Sequence, residues 1–467
     1  MTDYYSQLTA HNDFVTETTG NRPCFFIRTY GCQMNSRDSE NLAGLLIQMG
    51  YAKADSQENA DLVVYNTCCV RESAENKIFG HLSRTKNIKE TKRPNMIIAV
   101  GGCMSQQAEI AKDIQTRHPY IDIVFGTSNR HYLPDYIWTA IKTGKQVVDI
   151  SEKVDLPEPD SALVTTRDYP HKAGVNIMYG CDNFCSFCIV PYVRGRERSR
   201  DYKDVLQEIE ALAADGVKEI MLLGQNVNSY KSSDNVDFPT LLYHVNKIKH
   251  LERIRFMTSH PKDLSDNLII AIRDLDKVCK SVHLPLQSGS TKVLTDMNRH
   301  YTQDMYLDIT RRLQEAIPSI AITTDIIVGY PGETDQDFEN TLDVVRKVRF
   351  SSAFTFIYSK RSGTPAAERT DIIPREISNQ RFERLTATLY PIMEDINKNK
   401  IGKILPVMIE EVSNTTCKGR TDDNTLVHVI CKEGTISPGQ VVFVKIVLAK
   451  SFYVSGTCIN IPPKDIQ

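Results

Sequence analysis

The sequence predicts an α/β protein in three parts: an N-terminal α/β domain, a central partial (βα)6 barrel and a small C-terminal β-barrel. From Pro23 to about Gly144, short apolar runs alternate with helical periodicity, which is typical of a mostly parallel sheet. Six strand-then-helix units follow a proline-rich connection, as in a parallel barrel. After Lys400 the pattern changes to short alternating runs separated by turns, which indicates a small β-barrel.

Composition favours an ordinary globular protein, with 41% hydrophobic and 24% charged residues among 467. A chain of this length is expected to form about three domains. No stretch reaches the roughly 18 uninterrupted apolar residues of a membrane span, and residues 1–21 lack the apolar core of a secretion signal. Twelve cysteines in such a chain favour metal or redox chemistry in a reducing compartment, so a cytoplasmic location is expected. The formal charge of −2 leaves any nucleic-acid contact to local basic patches.

The N-terminal region places three cysteines in equivalent positions, each just after a predicted strand and before a predicted helix. They are Cys32, Cys68 and Cys103. Loops at the carboxyl edge of a parallel sheet converge on one crevice, so three thiolates there could ligate an iron–sulfur cluster and leave one iron open. The alternative is that they are small core residues, a common fate of free cysteine. Cys69 could replace its neighbour Cys68, because position at the strand end does not distinguish them.

A second set of cysteines lies in one short loop. Cys181, Cys185 and Cys188 fall within eight residues, and soft thiolates at this spacing favour an iron–sulfur cluster or zinc. The loop supplies three ligands with no fourth nearby, so a four-iron cluster held here would have one open iron that could bind a small molecule. A three-ligand zinc site and a redox loop are the alternatives.

The acidic, proline-rich segment 155–161 is the predicted boundary between the first two parts. Beyond it six strands are predicted: Gly174–Tyr179, Glu219–Leu223, Ile254–Thr258, Ser281–Leu286, Ala321–Val328 and Ala353–Tyr358. The C-terminal runs are 404–411, 426–430, 441–448 and 452–459. The expected division is a polar tail (1–22), the N-terminal domain (23–150), a linker (151–170), the barrel (171–399) and the C-terminal β-barrel (400–463).

The loop cysteines, with the aromatic Phe187 before the last of them, resemble the radical S-adenosylmethionine (SAM) superfamily. The resemblance implies that SAM binds the open iron of a [4Fe-4S] cluster and is cleaved to a 5′-deoxyadenosyl radical. Loops at the ends of other predicted strands supply further candidate SAM contacts. Together with Phe187 these are Gln225, Asn226, Ser259, Gln287, Asp325 and Gly329.

Several polar residues and cysteines near these loops have a structural interpretation. For Asp325 and Glu333 it is helix capping and hydrogen bonding inside the barrel, and His260 and His283 are expected to be structural. No side chain is singled out as a catalytic base. Four further cysteines have no ligand-like spacing and are expected to be buried or incidental: Cys279, Cys417, Cys431 and Cys458.

Three N-terminal motifs resemble those of the methylthiotransferases, radical SAM enzymes that carry an auxiliary cluster. The motifs are Thr29-Tyr-Gly-Cys-Gln-Met-Asn, Asn66-Thr-Cys and Gly102-Cys-Met-Ser-Gln. The resemblance, which runs from about Pro23 to the C-terminus, implies two [4Fe-4S] clusters, with Cys68 rather than Cys69 as a ligand of the auxiliary one. It also implies SAM as radical source and as methyl donor, a low-potential electron donor such as flavodoxin or ferredoxin, and a sulfur donor that it does not identify.

Within this family, Tyr-Gly-Cys-Gln-Met-Asn and Asn-Thr-Cys-x-Val-Arg-Glu resemble the MiaB-type branch. That branch inserts a methylthio group at C2 of N6-isopentenyl(dimethylallyl)adenosine at position 37, next to the tRNA anticodon, giving 2-methylthio-N6-isopentenyladenosine. One alternative is the threonylcarbamoyl-adenosine branch, which usually has lysine in place of Gln33. Another is the branch that modifies a ribosomal-protein aspartate and tends to show Gly-Cys-x-Lys-Asn. A non-enzymatic iron–sulfur RNA-binding sensor is a third, against which the glycine-rich SAM elements argue. Cys69 departs from the family pattern, in which serine is more common.

Basic residues mark two candidate tRNA contacts. Four arginines directly follow the cysteine loop: Arg194, Arg196, Arg198 and Arg200. They resemble the family's Arg-Gly-Arg-Glu-x-Ser-Arg element, so we expect them to hold substrate phosphates, with a solvated face as the alternative. The C-terminal β-barrel resembles the TRAM domain, an RNA-binding module of tRNA-modifying enzymes, with a purely structural barrel as the alternative. Lys418 and Arg420 lie in its expected contact loop.

Overall fold

The computed structural model describes residues 2–69, 72–151, 166–413, 415–431, 434 and 436–459. The chain divides into two compact units. Unit 1 comprises Met1–Asp168 and the short segment Ile189–Arg196, and unit 2 comprises Tyr169–Cys188 and Glu197–Gln467. The predicted boundary at 155–161 lies outside the described residues. Within the described chain, no helix has the length and apolar content to cross a bilayer.

Unit 1 contains the predicted parallel sheet. Its strands are β1 (Cys24–Thr29), β2 (Ala52–Lys53), β3 (Leu62–Thr67), β4 (Ile97–Gly102), β5 (Ile123–Phe125) and β6 (Val147–Asp149). Its helices are α1 (Thr2–Thr19), α2 (Gln33–Gln48), α3 (Glu72–Thr91), α4 (Ala108–Arg117), α5 (Leu133–Thr143) and α6 (Val190–Arg194). The strand order is β2-β1-β3-β4-β5-β6 and every pairing is parallel. The order reverses direction between β1 and β3, and such a switch point opens a crevice at the carboxyl edge of the sheet.

Strand β3 is buried on both faces of the sheet, because its successive side chains enter two different apolar cores. All six of its residues are buried. Leu62 and Val64 belong to the apolar core that includes Phe25 and Ile137, whereas Val63 belongs to the separate core on the other face. Because successive side chains of a strand point to opposite faces, a continuous apolar run predicts a central strand of this kind.

The N-terminal stretch that the sequence marked only as a polar tail forms α1. Leu8 of this helix is fully buried in the core that contains Leu42 and Leu46 of α2. Asn12 donates from its side-chain amide to the backbone carbonyl of Met49 at 2.9 Å. One buried leucine among polar neighbours gives too weak a periodicity to indicate this packing.

Unit 2 begins with the six predicted barrel strands. They are β7 (Lys172–Asn176), β10 (Glu219–Leu223), β11 (Arg253–Phe256), β12 (Ser281–His283), β13 (Ala321–Val328) and β14 (Ser352–Ile357). They form two parallel three-stranded sheets, β11-β10-β7 and β12-β13-β14, with one bridge from Ile254 of β11 to Val278, just before β12. The first predicted strand is divided, because β8 (Met178–Tyr179) leaves the sheet and pairs antiparallel with β9 (Arg198–Ser199).

Helices follow these strands and cover the barrel. They are α7 (Tyr202–Ala214), α8 (Phe238–Asn246), α9 (Asp266–Asp274), α10 (Thr291–Asp296), α11 (Gln303–Ala316), α12 (Asp335–Val348) and α13 (Arg375–Lys398). Val205, Ile209 and Leu212 of α7 are buried in the barrel core, as their spacing at i, i+4 and i+7 predicts.

The C-terminal strands close into a barrel. They are β15 (Ile404–Ser413), β16 (Thr416–Arg420), β17 (Leu426–Ile430), β18 (Val441–Ala449) and β19 (Val454–Ile459), in the order β15-β16-β17-β19-β18. The prediction that Lys418 and Arg420 lie in a loop was wrong. Lys418 and Arg420 belong to strand β16, which pairs with β15 and β17, and the turn begins only at Thr421.

This turn contacts the amino-terminal ends of the parallel barrel strands. Arg255 of β11 donates to the backbone carbonyls of Thr421 at 2.8 Å and Asp422 at 3.0 Å, and its Nε lies 3.0 Å from Glu219. The backbone N–H of Lys280 donates to the Asp422 carboxylate at 3.0 Å. Within unit 2, the small barrel is therefore held to the parallel barrel through a buried guanidinium.

Arg255→Met is expected to destabilise the protein by about 3 kcal/mol, because it leaves the buried Glu219 carboxylate and two carbonyls without their donor. This cost is at the lower end for breaking a buried ion pair, because Arg253 remains 3.9 Å from Glu219 and still offers it a positive charge. Urea unfolding followed by circular dichroism measures the change. Arg273→Met removes an exposed pair with Asp274 and should leave the urea midpoint close to that of the parent protein. Equal midpoints for the two variants would contradict the structural role of Arg255.

Candidate metal centres

The three N-terminal cysteines lie at one edge of the unit 1 sheet. Cys68 and Cys103 directly follow β3 and β4, and Cys32 lies in the short loop after β1, the third of these neighbouring strands. Cys68 and Cys103 are buried and Cys32 is exposed. We call this trio the auxiliary centre. The described residues include no group already arranged as a single-ion site.

Cys68 and Cys69 are adjacent in sequence but lie against different loops: Cys68 against the loop of Cys32 and Cys69 against the loop of Cys103. Gly31 has φ +124°, and a Cβ built on it would lie 2.7 Å from the Cβ of Cys68 and 3.0 Å from its sulfur. Only glycine therefore lets Cys68 lie against the loop that carries Cys32. Cys69 is buried in a small apolar cluster with Cys103, Ile189 and Val193. Cys68 is thus placed beside Cys32, and Cys69 beside Cys103.

Asn35, in the first turn of α2, connects the loops of the auxiliary centre. Its Oδ1 lies 3.6 Å from the sulfur of Cys32 and accepts a hydrogen bond from Arg194 at 3.2 Å. Its amide nitrogen donates to the carbonyl of Thr67, the residue before Cys68, at 2.9 Å. One side chain therefore fixes the spacing of two strand ends.

Arg194 of α6 occupies the interior of this centre. Its Nε donates to the sulfur of Cys103 at 3.3 Å, and its Nη2 lies 2.9 Å from the carboxylate of Asp38. The side chains of Arg194 and Asp38 are each only 6% exposed. A hydrogen bond from Cys69 lowers the pKa of Cys103 to about 6. The positive charge of Arg194 also lowers this pKa, whereas burial of the thiol raises it. These contacts favour the thiolate form of Cys103, which is the form that binds metal.

The second trio, which we call the radical centre, lies on the loop after β8. Ser186 in this loop donates from its hydroxyl to the Asp296 carbonyl at 2.7 Å and from its backbone N–H to the Met297 carbonyl at 3.0 Å. Asn298 donates to the carbonyl of Phe184 at 3.0 Å. The segment after α10 therefore fastens the loop that carries Cys181, Cys185 and Cys188.

A second buried arginine contacts the radical centre. Arg299 is 5% exposed and donates to the Cys185 sulfur at 3.3 Å, to the Tyr301 hydroxyl at 3.2 Å and to the Pro285 carbonyl at 3.2 Å. Within the described part of the chain no carboxylate pairs with it. A buried cation without a carboxylate needs another anion, and an iron–sulfur cluster with thiolate ligands supplies one. The residues present therefore fit a cluster at this loop.

The carboxyl-end rim of the barrel holds buried polar atoms that have no partner among the described residues. They are both amide atoms of Asn228, Oγ of Ser259, Nε2 of His260 and the hydroxyl of Tyr358. Buried polar groups are rarely left unpaired unless a ligand or water meets them. Two nearby backbones are strained, since Thr258 has φ +70° and Gln287 has φ +65°. Such strain concentrates at ligand sites, so this rim fits a polar ligand such as SAM.

The residues predicted to contact SAM differ in whether their side chains already have partners within the protein. The hydroxyl of Ser259 is unpartnered within the described chain, and Gln287 carries the strained backbone. Gln225 lies half-buried just beyond β10. Phe187 packs against the apolar cluster that contains Met297. The Asn226 amide is used within the protein, because it donates to Asp263 at 2.7 Å and accepts from the His260 backbone at 3.0 Å.

Asp325, Gly329 and Glu333 have structural partners. Asp325 lies 3.3 Å from His283. A Cβ on Gly329 would lie 2.3 Å from the Ser378 hydroxyl, so this glycine allows the close approach of α13. Glu333 accepts from the Gly329 backbone at 2.8 Å and from Arg381 at 2.7 Å. Its other carboxylate oxygen, Oε1, is buried without a partner among the described residues.

The predicted phosphate contacts separate into two groups. Arg194 is buried in the auxiliary centre, and Arg200 donates to Glu208 and to the carbonyl of Asn176, both at 2.7 Å. The structure does not support phosphate contacts for these two, because their guanidinium groups are engaged inside the protein. Arg196 is exposed and Arg198 half-exposed, and their role stays a prediction.

In the C-terminal barrel, Lys418 lies 3.3 Å from Glu411. Arg420 lies 3.5 Å from Glu410 and donates to the carbonyl of Asn424 at 3.0 Å. A role for Lys418 and Arg420 in binding tRNA also stays a prediction.

Sequence reasoning missed Arg299, Asn35 and Asp38. Arg299 is 114 residues from Cys185, so no local spacing indicates their contact. Asn35 falls within a quoted motif, but only its position between two strand ends reveals what it does. Asp38 looks like an ordinary polar residue of an amphipathic helix.

Two sequence families match the chain: an uncharacterised protein family, UPF0004, over residues 24–126, and the radical SAM superfamily over residues 175–345. Three curated relatives are named tRNA-2-methylthio-N(6)-dimethylallyladenosine synthase. One from Caldicellulosiruptor saccharolyticus is 52% identical over 89% of this chain and 88% of its own. One from Acetivibrio thermocellus is 48% identical over 95% and 92%, and one from Clostridium perfringens is 47% identical over 95% and 99%.

Among solved structures, a radical SAM methyltransferase from Kitasatospora setae is similar, with a TM-score of 0.54. The sequences are 14% identical, and the match covers 74% of this chain and 77% of that one. At this identity the likeness concerns the fold alone.

Iron analysis tests the two centres separately. After anaerobic reconstitution we expect about eight irons per chain, from two four-iron clusters. Replacing all three cysteines of either centre with alanine should leave about four. Cys458→Ala, a matched change at a C-terminal cysteine outside both centres, should leave the iron content unchanged. A parent protein with about four irons, or with zinc alone, would show that one centre binds no cluster.

Proposed function

The chain belongs to the family of tRNA-2-methylthio-N(6)-dimethylallyladenosine synthases, and we propose that it inserts a methylthio group at C2 of N6-isopentenyladenosine at position 37 of tRNA. The product is 2-methylthio-N6-isopentenyladenosine. The observation that carries the proposal is the presence of two cysteine trios in one chain, each with a buried arginine that donates to a sulfur. Relatives about half identical over nearly the whole chain support the choice of substrate.

The residues of the two centres divide the work. Cys181, Cys185 and Cys188 would hold one [4Fe-4S] cluster, and the auxiliary centre would hold the other. When bound, the clusters and SAM supply the one-electron, methyl-transfer and sulfur-transfer chemistry that side chains lack. Aromatic C–H bonds are too strong and too weakly acidic for ordinary acid–base catalysis, which is why such cofactors are needed.

The protein contributes position and charge. Two hydrogen bonds hold the loop of the radical centre: the Ser186 hydroxyl donates to the Asp296 carbonyl, and the Asn298 amide donates to the Phe184 carbonyl. They fix the backbone that carries the three thiols. Arg299 supplies a permanent positive charge beside Cys185, because guanidinium does not titrate in the physiological range. On the rim, the unpartnered groups of Asn228, Ser259 and Tyr358 are suited to bind the polar groups of SAM.

The partners of the proposed reaction are tRNA, a low-potential electron donor such as flavodoxin or ferredoxin, and a sulfur donor. Arg196 is exposed and Arg198 is partly exposed, and these two arginines of the basic run would meet tRNA phosphates.

Two single substitutions separate the roles of the centres. Cys185→Ala should abolish formation of 5′-deoxyadenosine from SAM, because the radical centre loses a ligand. Cys32→Ala should keep SAM cleavage but lose the thiomethylated nucleoside, measured by mass spectrometry of digested tRNA. Cys458→Ala should retain both activities. The tRNA used carries N6-isopentenyladenosine.

Two outcomes would contradict this assignment. Loss of SAM cleavage in both Cys32→Ala and Cys185→Ala, with both proteins folded, would refute the division of labour. A parent protein that modifies threonylcarbamoyl-adenosine or a ribosomal-protein aspartate, and leaves isopentenyladenosine unchanged, would refute the substrate.

A further inference from the structure

We propose that Arg194 is a positioning residue of the auxiliary centre, whose N–H donor and fixed charge raise the reduction potential of the cluster held by Cys32, Cys68 and Cys103. This inference rests on the proposed function in one respect, that these cysteines hold a cluster. It reassigns Arg194 from the predicted phosphate contacts to the interior of unit 1.

The geometry holds the guanidinium in one orientation. Nε donates to the Cys103 sulfur at 3.3 Å, while Nη2 donates to Asn35 at 3.2 Å and to Asp38 at 2.9 Å. Because the guanidinium is planar, the simultaneous contacts of Nε and Nη2 fix the direction of the N–H that meets the sulfur. The sulfur contact is therefore a built feature of the fold.

The backbone that carries Arg194 is anchored in the same unit. The carbonyl of Val193 accepts a hydrogen bond from the Thr127 hydroxyl. Ile189 and Val193 pack against Cys69 and Cys103 in a buried apolar cluster. The short helix α6 thus presents its arginine to the auxiliary centre from a fixed position.

The carboxylate that pairs with Arg194 is shared with a second guanidinium group. Asp38 is shared by two guanidinium groups, Arg194 at 2.9 Å and Arg130 at 3.4 Å. Reduction makes an iron–sulfur cluster more negative, so a nearby positive charge and an N–H···S hydrogen bond stabilise the reduced state. Burial strengthens this effect because the local dielectric constant is low.

Burial also argues against a phosphate contact for this residue. The Arg194 side chain is 6% exposed and already paired with a carboxylate. Arg198 of the same run is half-exposed. The two arginines are therefore expected to have different functions despite their closeness in sequence.

The test measures the potential of the auxiliary cluster alone. The full chain with Cys181, Cys185 and Cys188 replaced by alanine is reconstituted anaerobically and titrated with redox mediators, followed by electron paramagnetic resonance. Arg194→Gln removes the charge and should lower the ratio of reduced to oxidised cluster at a fixed potential roughly tenfold, about 59 mV for a one-electron couple. Arg194→Lys keeps the charge and should shift less. Arg198→Gln is the matched control and should not shift the potential.

A second variant keeps the test decisive if Arg194→Gln loses its cluster. Asp38→Asn removes the compensating carboxylate and should raise the potential. Unchanged potentials in a cluster-containing Arg194→Gln, or in Asp38→Asn, would overturn the inference while leaving the proposed function intact. A parent variant without any cluster would overturn both.

Binding of unmodified tRNA at several salt concentrations separates the two roles of arginine. We expect Arg194→Gln to keep the parental affinity and salt dependence, and Arg198→Gln to weaken binding. Weaker tRNA binding by Arg194→Gln with no change in potential would return Arg194 to the phosphate contacts and overturn the inference.

Discussion

Burying an arginine costs free energy unless an anion meets its charge, and both metal centres of this protein are arranged around that requirement. Arg194 and Arg299 are buried, and each donates to a cysteine sulfur at 3.3 Å. Arg194 is also paired with Asp38, whereas the partners of Arg299 among the described residues, besides its sulfur, are hydroxyl and carbonyl oxygens. The radical centre therefore depends more strongly on an anionic ligand set than the auxiliary centre does.

Parallel strand order explains why distant cysteines can share a site. β1, β3 and β4 are neighbours, so the residues that follow them lie at one edge although the chain between them is long. Asn35 then sets the spacing through hydrogen bonds to two of the loops. In unit 2 the three cysteines are already close in sequence, and the fold has only to hold their loop.

The C-terminal barrel and the radical centre lie at opposite ends of the parallel strands of unit 2. The turn at Thr421 and Asp422 meets Arg255 and Lys280 near the amino-terminal ends, whereas the cysteine loop follows β8 at the carboxyl end. Lys418 and Arg420 belong to a paired strand of the small barrel and make local ion pairs. A tRNA contact through Lys418 and Arg420 would therefore use a strand face.

The sequence alone determined the six parallel strands of the central barrel, the strand-end position of Cys32, Cys68 and Cys103, and the cysteine loop, because these depend on local periodicity and spacing, but it missed α1 and β16. Only the tertiary structure decided which arginines are buried. Arg194 and Arg198 look alike in the sequence, yet one meets Cys103 and Asp38 inside unit 1 and the other stays half-exposed. Partners such as Arg299 and Cys185 come from segments far apart in the chain, and side-chain burial depends on long-range packing that no local pattern records.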